Sequence, residues 1–144
     1  MTDTEEATAR FDTKIAVLLR EDLATWQRLN VTSFLVSGLT ARAPEVLGDP
    51  YQDADGTEYL AMFRQPVLVF EAGKEILTRA RERAVARDLP VSVFTADLFA
   101  TGNDHDNRAA VRAVRGPDLD LVGIAVYGPR NFIDKLTKGA RMHP

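Results

Sequence analysis

Eight of the twelve residues from Asp97 to Arg108, DLFATGNDHDNR, carry side chains that move protons or make hydrogen bonds. In a hydrolytic reading His105 is the general base, since imidazole titrates near neutrality, and Asp104 or Asp97 orients it. Thr101 then supplies a nucleophilic or donating hydroxyl. Thr95 and Asp97, two residues apart where a strand ends, share one face of the pleat. The same stretch also suits a helix start: Asp104 or Asp106 ahead of NRAAVRAV would accept hydrogen bonds from exposed amides, with Asp106 the better cap. Asn103 and Asn107 fit turns and caps for the same reason, and Arg108 can pair with a neighbouring Asp. A metal drawn from Asp97, Asp104 and His105 lacks a spaced ligand pair, so no metal and no cofactor are expected.

A second polar group lies on the first helix. At a 3.6-residue period Leu23, Trp26 and Phe34 mark an inward side, and Thr25, Arg28 and Thr32 an outward one. Gln27 and Asn30 then fall inside the apolar arc. A buried amide without a partner costs about 1–3 kcal/mol, so these two either tie loop backbone together or recognise a ligand. Ser33 and Ser37 extend the same line.

Other patterns carry less chemistry. In YQDADGTEY the Asp55-Gly56 pair signals a tight hairpin, and a calcium loop is rejected because setting Gly56 sixth puts Tyr51 first, where an oxygen ligand is needed. Arg79, Arg83 and Arg87 form a stripe at i, i+4, i+8, but Glu71, Glu75, Glu82 and Asp88 nearly cancel it, which favours a solvated face over phosphate contact. Gly73-Lys74 lacks the rest of a phosphate loop.

Positioning these groups requires a scaffold. Residues 1–13 read as a flexible lead-in and 14–144 as one domain. KIAVLLRED holds five apolar residues in succession, Ile15–Leu19, as expected of a strand covered on both faces. A helix should follow from about Leu23 to Ser37, capped by Asp22 and stopped by Gly38. After the hairpin come a strand at Pro66–Ala72, a helix at Lys74–Arg87, a strand in VSVFTAD, the polar loop with a helical stretch near Asn107–Val114, a strand at Leu119–Gly128 and a helix ended by Gly139. Such alternation predicts a three-layer α/β/α domain around a mostly parallel mixed sheet with an inserted β-hairpin. Ligands of such sheets gather beside the strand ends.

The 144 residues are 45% apolar and 27% charged, which places the chain among globular proteins, and a net charge of −3 offers no global attraction for nucleic acid. With no cysteine, thiolate catalysis and sulfur-bound metals are excluded. The polar, acidic start has no signal-peptide pattern and no segment reaches membrane-spanning length, so a cytoplasmic protein without a membrane partner is expected.

KIAVLLREDL, PVLVFEAGKEIL, DLPVSVFTAD and LDLVGIAVYGPRNFIDKLTKG resemble, in order and spacing, the second class of peptidyl-tRNA hydrolases. Trp26-Gln27-x-x-Asn30, YQDADGTEY and DNRAAV resemble more closely a family of unknown function, of the DUF2000 type, said to share that fold. The resemblance implies a mixed sheet between helices, a homodimer and a cleft beside the first helix. Arg20, Asp22 and Leu23 match the hydrolase Arg-x-Asp-Leu. The hydrolase catalytic lysine, however, falls on Gln27, and the second lysine of that run on Leu29, so a positive charge is missing. The acidic residue after the third strand meets Ala96, or Asp97 with a one-residue slip, and the following threonine meets Ala100 or Thr101.

The expected function is accordingly a cleft lined by Arg20, Asp22, Gln27, Asn30, Thr95, Asn107 and Arg108 that binds a small polar molecule or nucleotide. If a reaction occurs, ester or amide hydrolysis by Asp97, His105 and Thr101 is favoured. The alternatives are a peptidyl-tRNA hydrolase-like enzyme, which predicts salt-sensitive binding along a basic track, and a dimeric interaction protein without chemistry.

Overall fold

The computed structural model describes residues 11–144. Its main elements are β1 (Thr13–Arg20), α1 (Thr25–Arg42), β2 (Tyr51–Gln52), β3 (Glu58–Tyr59), β4 (Val67–Ala72), α2 (Lys74–Ala86), β5 (Val91–Thr95), α3 (Asp104–Arg112), β6 (Leu121–Pro129), α4 (Arg130–Leu136) and β7 (Arg141–Met142). Of the lead-in expected over 1–13, residues 1–10 lie outside the described residues. The carbonyls of Phe11 and Asp12 already accept hydrogen bonds from Arg130, and β1 opens at Thr13.

The apolar run Ile15–Leu19 is buried throughout, and its alternation feeds two cores. Ile15, Val17 and Leu19 pack with Val31, Leu35 and Leu39 of α1. Ala16 and Leu18 pack with Leu77, Ala80 and Ala84 of α2 and with Ile133 and Leu136 of α4. The Arg79–Arg83–Arg87 stripe of α2 is more than a solvated face. Arg79 donates to the Lys138 carbonyl and Arg83 to the Lys135 carbonyl, while the Arg87 guanidinium lies 4.2 Å from the Phe132 ring centroid. Cations thus meet carbonyls at and just beyond the C-terminal end of α4 and dock it against α2.

The sheet order is β5-β6-β1-β4-β7. Only β1 and β4 pair in parallel, and the other three pairings of this sheet are antiparallel, so it is mostly antiparallel rather than mostly parallel. The alternation of strand and helix misleads here because α3 does not carry the chain back along the sheet. Thr95 at the end of β5 pairs with Leu121 at the start of β6, so the chain leaves and re-enters at the same edge and must reverse direction.

Helix α1 also departs from its sequence pattern. Its N-cap is Ala24, and Asp22 is bonded instead to Arg20. The helix continues through Gly38 to Arg42, because burying Leu39 outweighs the cost of a mid-helix glycine, about 1 kcal/mol. The hairpin of β2 and β3 is present. Gly56 adopts φ +87°, the left-handed region, but the turn is organised by Asp53, whose carboxylate accepts from Asp55 N, Thr57 N and Tyr59 Oη.

Gly123, inside β6, has a role that only close packing explains. A Cβ there would lie 2.7 Å from Val31 Cγ1 and 3.0 Å from Leu35 Cδ1. Glycine lets α1 approach the sheet, and Val31, stiff at χ1, has no room to yield. Gly123→Ala is expected to lose about 1–3 kcal/mol of stability by overpacking, measured as a lower urea midpoint at unchanged m-value. An unchanged midpoint would mean that α1 does not need this contact.

Candidate functional site

Val31, Leu35 and Leu39 rather than Trp26 and Phe34 form the buried face of α1. The helix is therefore rotated from the face that its periodicity predicts. Trp26 is 61% exposed and Phe34 57% exposed, and Asn30, one helical turn from each, is exposed between them. Rotation does not remove these residues from a cavity. Trp26, Asn30 and Phe34 form one wall of a 370 Å³ groove whose other lining includes Thr101, Asn103, Asp104 and Asn107, with Phe94, Leu98 and Phe99 between. The aromatic rings are in mutual contact: Trp26 meets Phe99 edge-on at 6.0 Å, Phe99 meets Phe94 at 5.2 Å, and Phe94 meets Phe34 edge-on at 6.0 Å. Sharing Phe34, Phe94, Leu98, Asp104 and Asn107, a second cavity of 470 Å³ carries the groove on towards Gly38, Arg108 and Arg112.

The polar loop of the sequence divides between structure and groove. Residues Ala96–Phe99 make a 3-10 turn, and α3 begins at Asp104. Its N-cap is Asn103, not an Asp: the Asn103 side chain accepts from Asp106 N at 2.8 Å, and its Nδ2 donates to Asp106. The single Thr101 hydroxyl proton is shared between Leu98 O and Asn107 Oδ1, and Asn107 Nδ2 has no protein partner among the described residues. Asn30 makes no side-chain hydrogen bond among them either, whereas Arg108 is paired with Asp104. Gln27 serves the helix itself, since its Oε1 accepts from Ala24 N at 2.9 Å and closes the first turn of α1.

The remaining expected residues lie elsewhere. His105 has an 86% exposed side chain near Asp106, and Asp97 is exposed on the 3-10 turn; neither lines the groove. Thr95 is buried with its hydroxyl unpartnered among the described residues. Arg20 and Asp22 belong to an ion cluster beyond the end of β1, where Arg20 donates to Asp22 at 2.7 Å and to Asp120 at 2.9 Å and Lys74 approaches Asp120 at 3.2 Å. The Arg20 hydrogen bond holds the Asp22 carboxyl below its ordinary range. Burial pushes Asp120 up, yet Lys74 and Arg20 together leave it lowered.

Sequence reasoning missed the most tightly held charge. Glu71, buried at the end of β4, receives Arg141 Nε at 2.7 Å and Arg28 Nη1 at 2.6 Å, so it does not offset the α2 arginines. Arg28, expected on the wet face, donates further to the Leu23 and Glu21 carbonyls and meets His143 Nε2 at 2.9 Å. A carboxylate closing an apolar strand demands a buried cation, and that was the available signal. This clamp borders the larger 840 Å³ cavity between α1, β4 and the C-terminal residues. There Arg28, Thr32 and Ser33 are all engaged by backbone or Glu71, so few free polar groups converge on a ligand.

The chain is thus a small mixed α/β domain with an aromatic and amide groove beside its first helix. A family model described as a protein of unknown function, DUF2000, matches residues 13–144, and the chain belongs to that family. A solved structure of a protein of unknown function, Atu0240 from Agrobacterium tumefaciens strain C58, is 42% identical, with a TM-score of 0.89 over 94% of this chain and 100% of that one. No curated protein matches the chain.

The Arg141 and Arg28 hydrogen bonds hold the Glu71 carboxyl below its ordinary range. A lowered folded-state value means that this contribution is complete above the unfolded glutamate pKa and is lost as pH falls through the folded one. Glu71→Gln is expected to melt several degrees lower at neutral pH, with the two proteins converging in acid as the wild type loses the clamp. Parallel melting curves down to strongly acidic pH would show that the clamp adds no stability.

Proposed function

We propose that the groove between α1 and α3 binds a small polar molecule. The observation that carries this reading is free amide hydrogen-bonding capacity on both sides of one cavity: the Asn30 side chain on one wall, and Asn107 Nδ2 on the other. Few convergent polar groups above an apolar floor, in a cavity of several hundred Å³, are the usual composition of a ligand site. Asp97 and His105 stand outside the groove, so the reading is one of binding, with Thr101 fixing the Asn107 amide rather than acting as a nucleophile. We further infer that the chain has the three-layer arrangement of the class II peptidyl-tRNA hydrolases. The two cores on opposite sides of β1, one with α1 and one with α2 and α4, support that inference.

A thermal-shift screen against soluble metabolites tests the binding reading. A ligand at about a hundred times its dissociation constant adds about 2.7 kcal/mol to apparent stability and raises the melting temperature visibly. The shift is expected to shrink in Asn30→Ala and Asn107→Ala while the unliganded melting point of Asn30→Ala, an exposed position, stays near wild type. Hits whose shift neither substitution alters would remove the groove from consideration.

A further inference from the structure

The groove has an orientation that goes beyond a generic polar ligand. Trp26, Asn30 and Phe34 repeat every four residues on α1 and so stand in one row, an amide between two exposed aromatic faces. Phe94 and Phe99 make the floor beneath them, and the Asn107 amide faces them from α3. Exposed aromatic planes at a cavity wall recognise flat rings, and an Asn amide, which both donates and accepts, matches the mixed donor and acceptor edge of a heterocycle. Charge then gives the groove a direction. Asp104, which lines both cavities, and Arg108 neutralise each other, whereas Arg112 lines only the continuing cavity and forms no ion pair among the described residues.

We propose that the groove takes a nucleoside monophosphate or a ligand of the same design: a planar heterocycle against Trp26, its edge read by Asn30 and Asn107, and an anionic group directed past Phe34 to Arg112. This rests on the binding reading above and specifies its ligand class. The nine residues of α3 span about 13 Å at 1.5 Å per residue, room for a base, a sugar and one phosphate along the groove.

Trp26 is the only tryptophan in the chain, so the site reports on itself. Titration with adenosine, guanosine, cytidine and uridine 5′-monophosphates is expected to quench its fluorescence for at least one of the four. Adenosine and ribose 5-phosphate serve as the ring-only and anion-only arms for an adenine preference, with the matching nucleoside used otherwise. Calorimetry follows the variants. Trp26→Ala should weaken the nucleotide by at least about fivefold, Trp26→Phe should restore most of that loss, and Arg112→Gln should bring the nucleotide down to the affinity of its nucleoside. Circular dichroism melts of the three variants, all at exposed positions, verify that they remain folded. If no nucleotide at millimolar concentration changes fluorescence or releases heat, while the metabolite screen yields an Asn30-dependent ligand without a ring, the ligand class is wrong and the groove stands. Equal binding of ribose 5-phosphate and nucleotide, indifferent to Trp26→Ala, overturns the ring contact in the same way. Failure of both the nucleotides and the screen removes the binding reading as well.

Discussion

The rotation of α1 about its own axis is the constraint on which the groove depends. Val31, Leu35 and Leu39 fix it from below, against β1 and the bare backbone of Gly123. Arg28 fixes it at the first turn, by reaching past the helix to Glu71 on β4. Turned by even one residue position, about 100°, the helix would drive Arg28 from its carboxylate and carry Asn30 away from Asn107. Packing and electrostatics therefore specify the same orientation, which is the agreement between levels expected of a sequence with one native state.

Strands and helices were legible because their burial patterns are simple. Five successive apolar residues fit a strand covered on both faces, and the glycine and proline punctuation around α2 and β5 put their ends within a residue or two. What failed was geometry that depends on partners distant in sequence. Helix α1 carries apolar residues nearly all the way round, so periodicity alone could not choose between Trp26 with Phe34 and Val31 with Leu35. Strand direction failed for a related reason: α3 is too short and too polar to cover a sheet face, but its sequence shows only that it is helical.

The candidate site was partly legible. Asn30, Thr101, Asn107 and Arg108 meet at one groove, although Asn30 reaches it from an exposed position and not from the buried one that periodicity implies. Gln27 shows how an amide at the start of a helix is claimed by local backbone before any ligand can use it. Arg20 and Asp22 sit at the expected strand end but are consumed by Asp120 and by each other. Asp120 and Lys74 could not have been tied to them from the sequence, because the contact exists only once β6 lies beside β1.

The clamp on Glu71 also governs what the outer rim of the sheet can join. β4 would be an open margin if β7 did not pair with Phe70 and Glu71 and if His143 N did not donate to Val69 O. Unsatisfied strand margins recruit neighbouring molecules and seed aggregates. A foreign strand occupying the place of β7 would bring no equivalent of Arg141, and would strand a half-neutralised carboxylate in a dry interface. The pairing with Arg141 thus favours the chain's own tail on this margin over any strand that lacks such a cation.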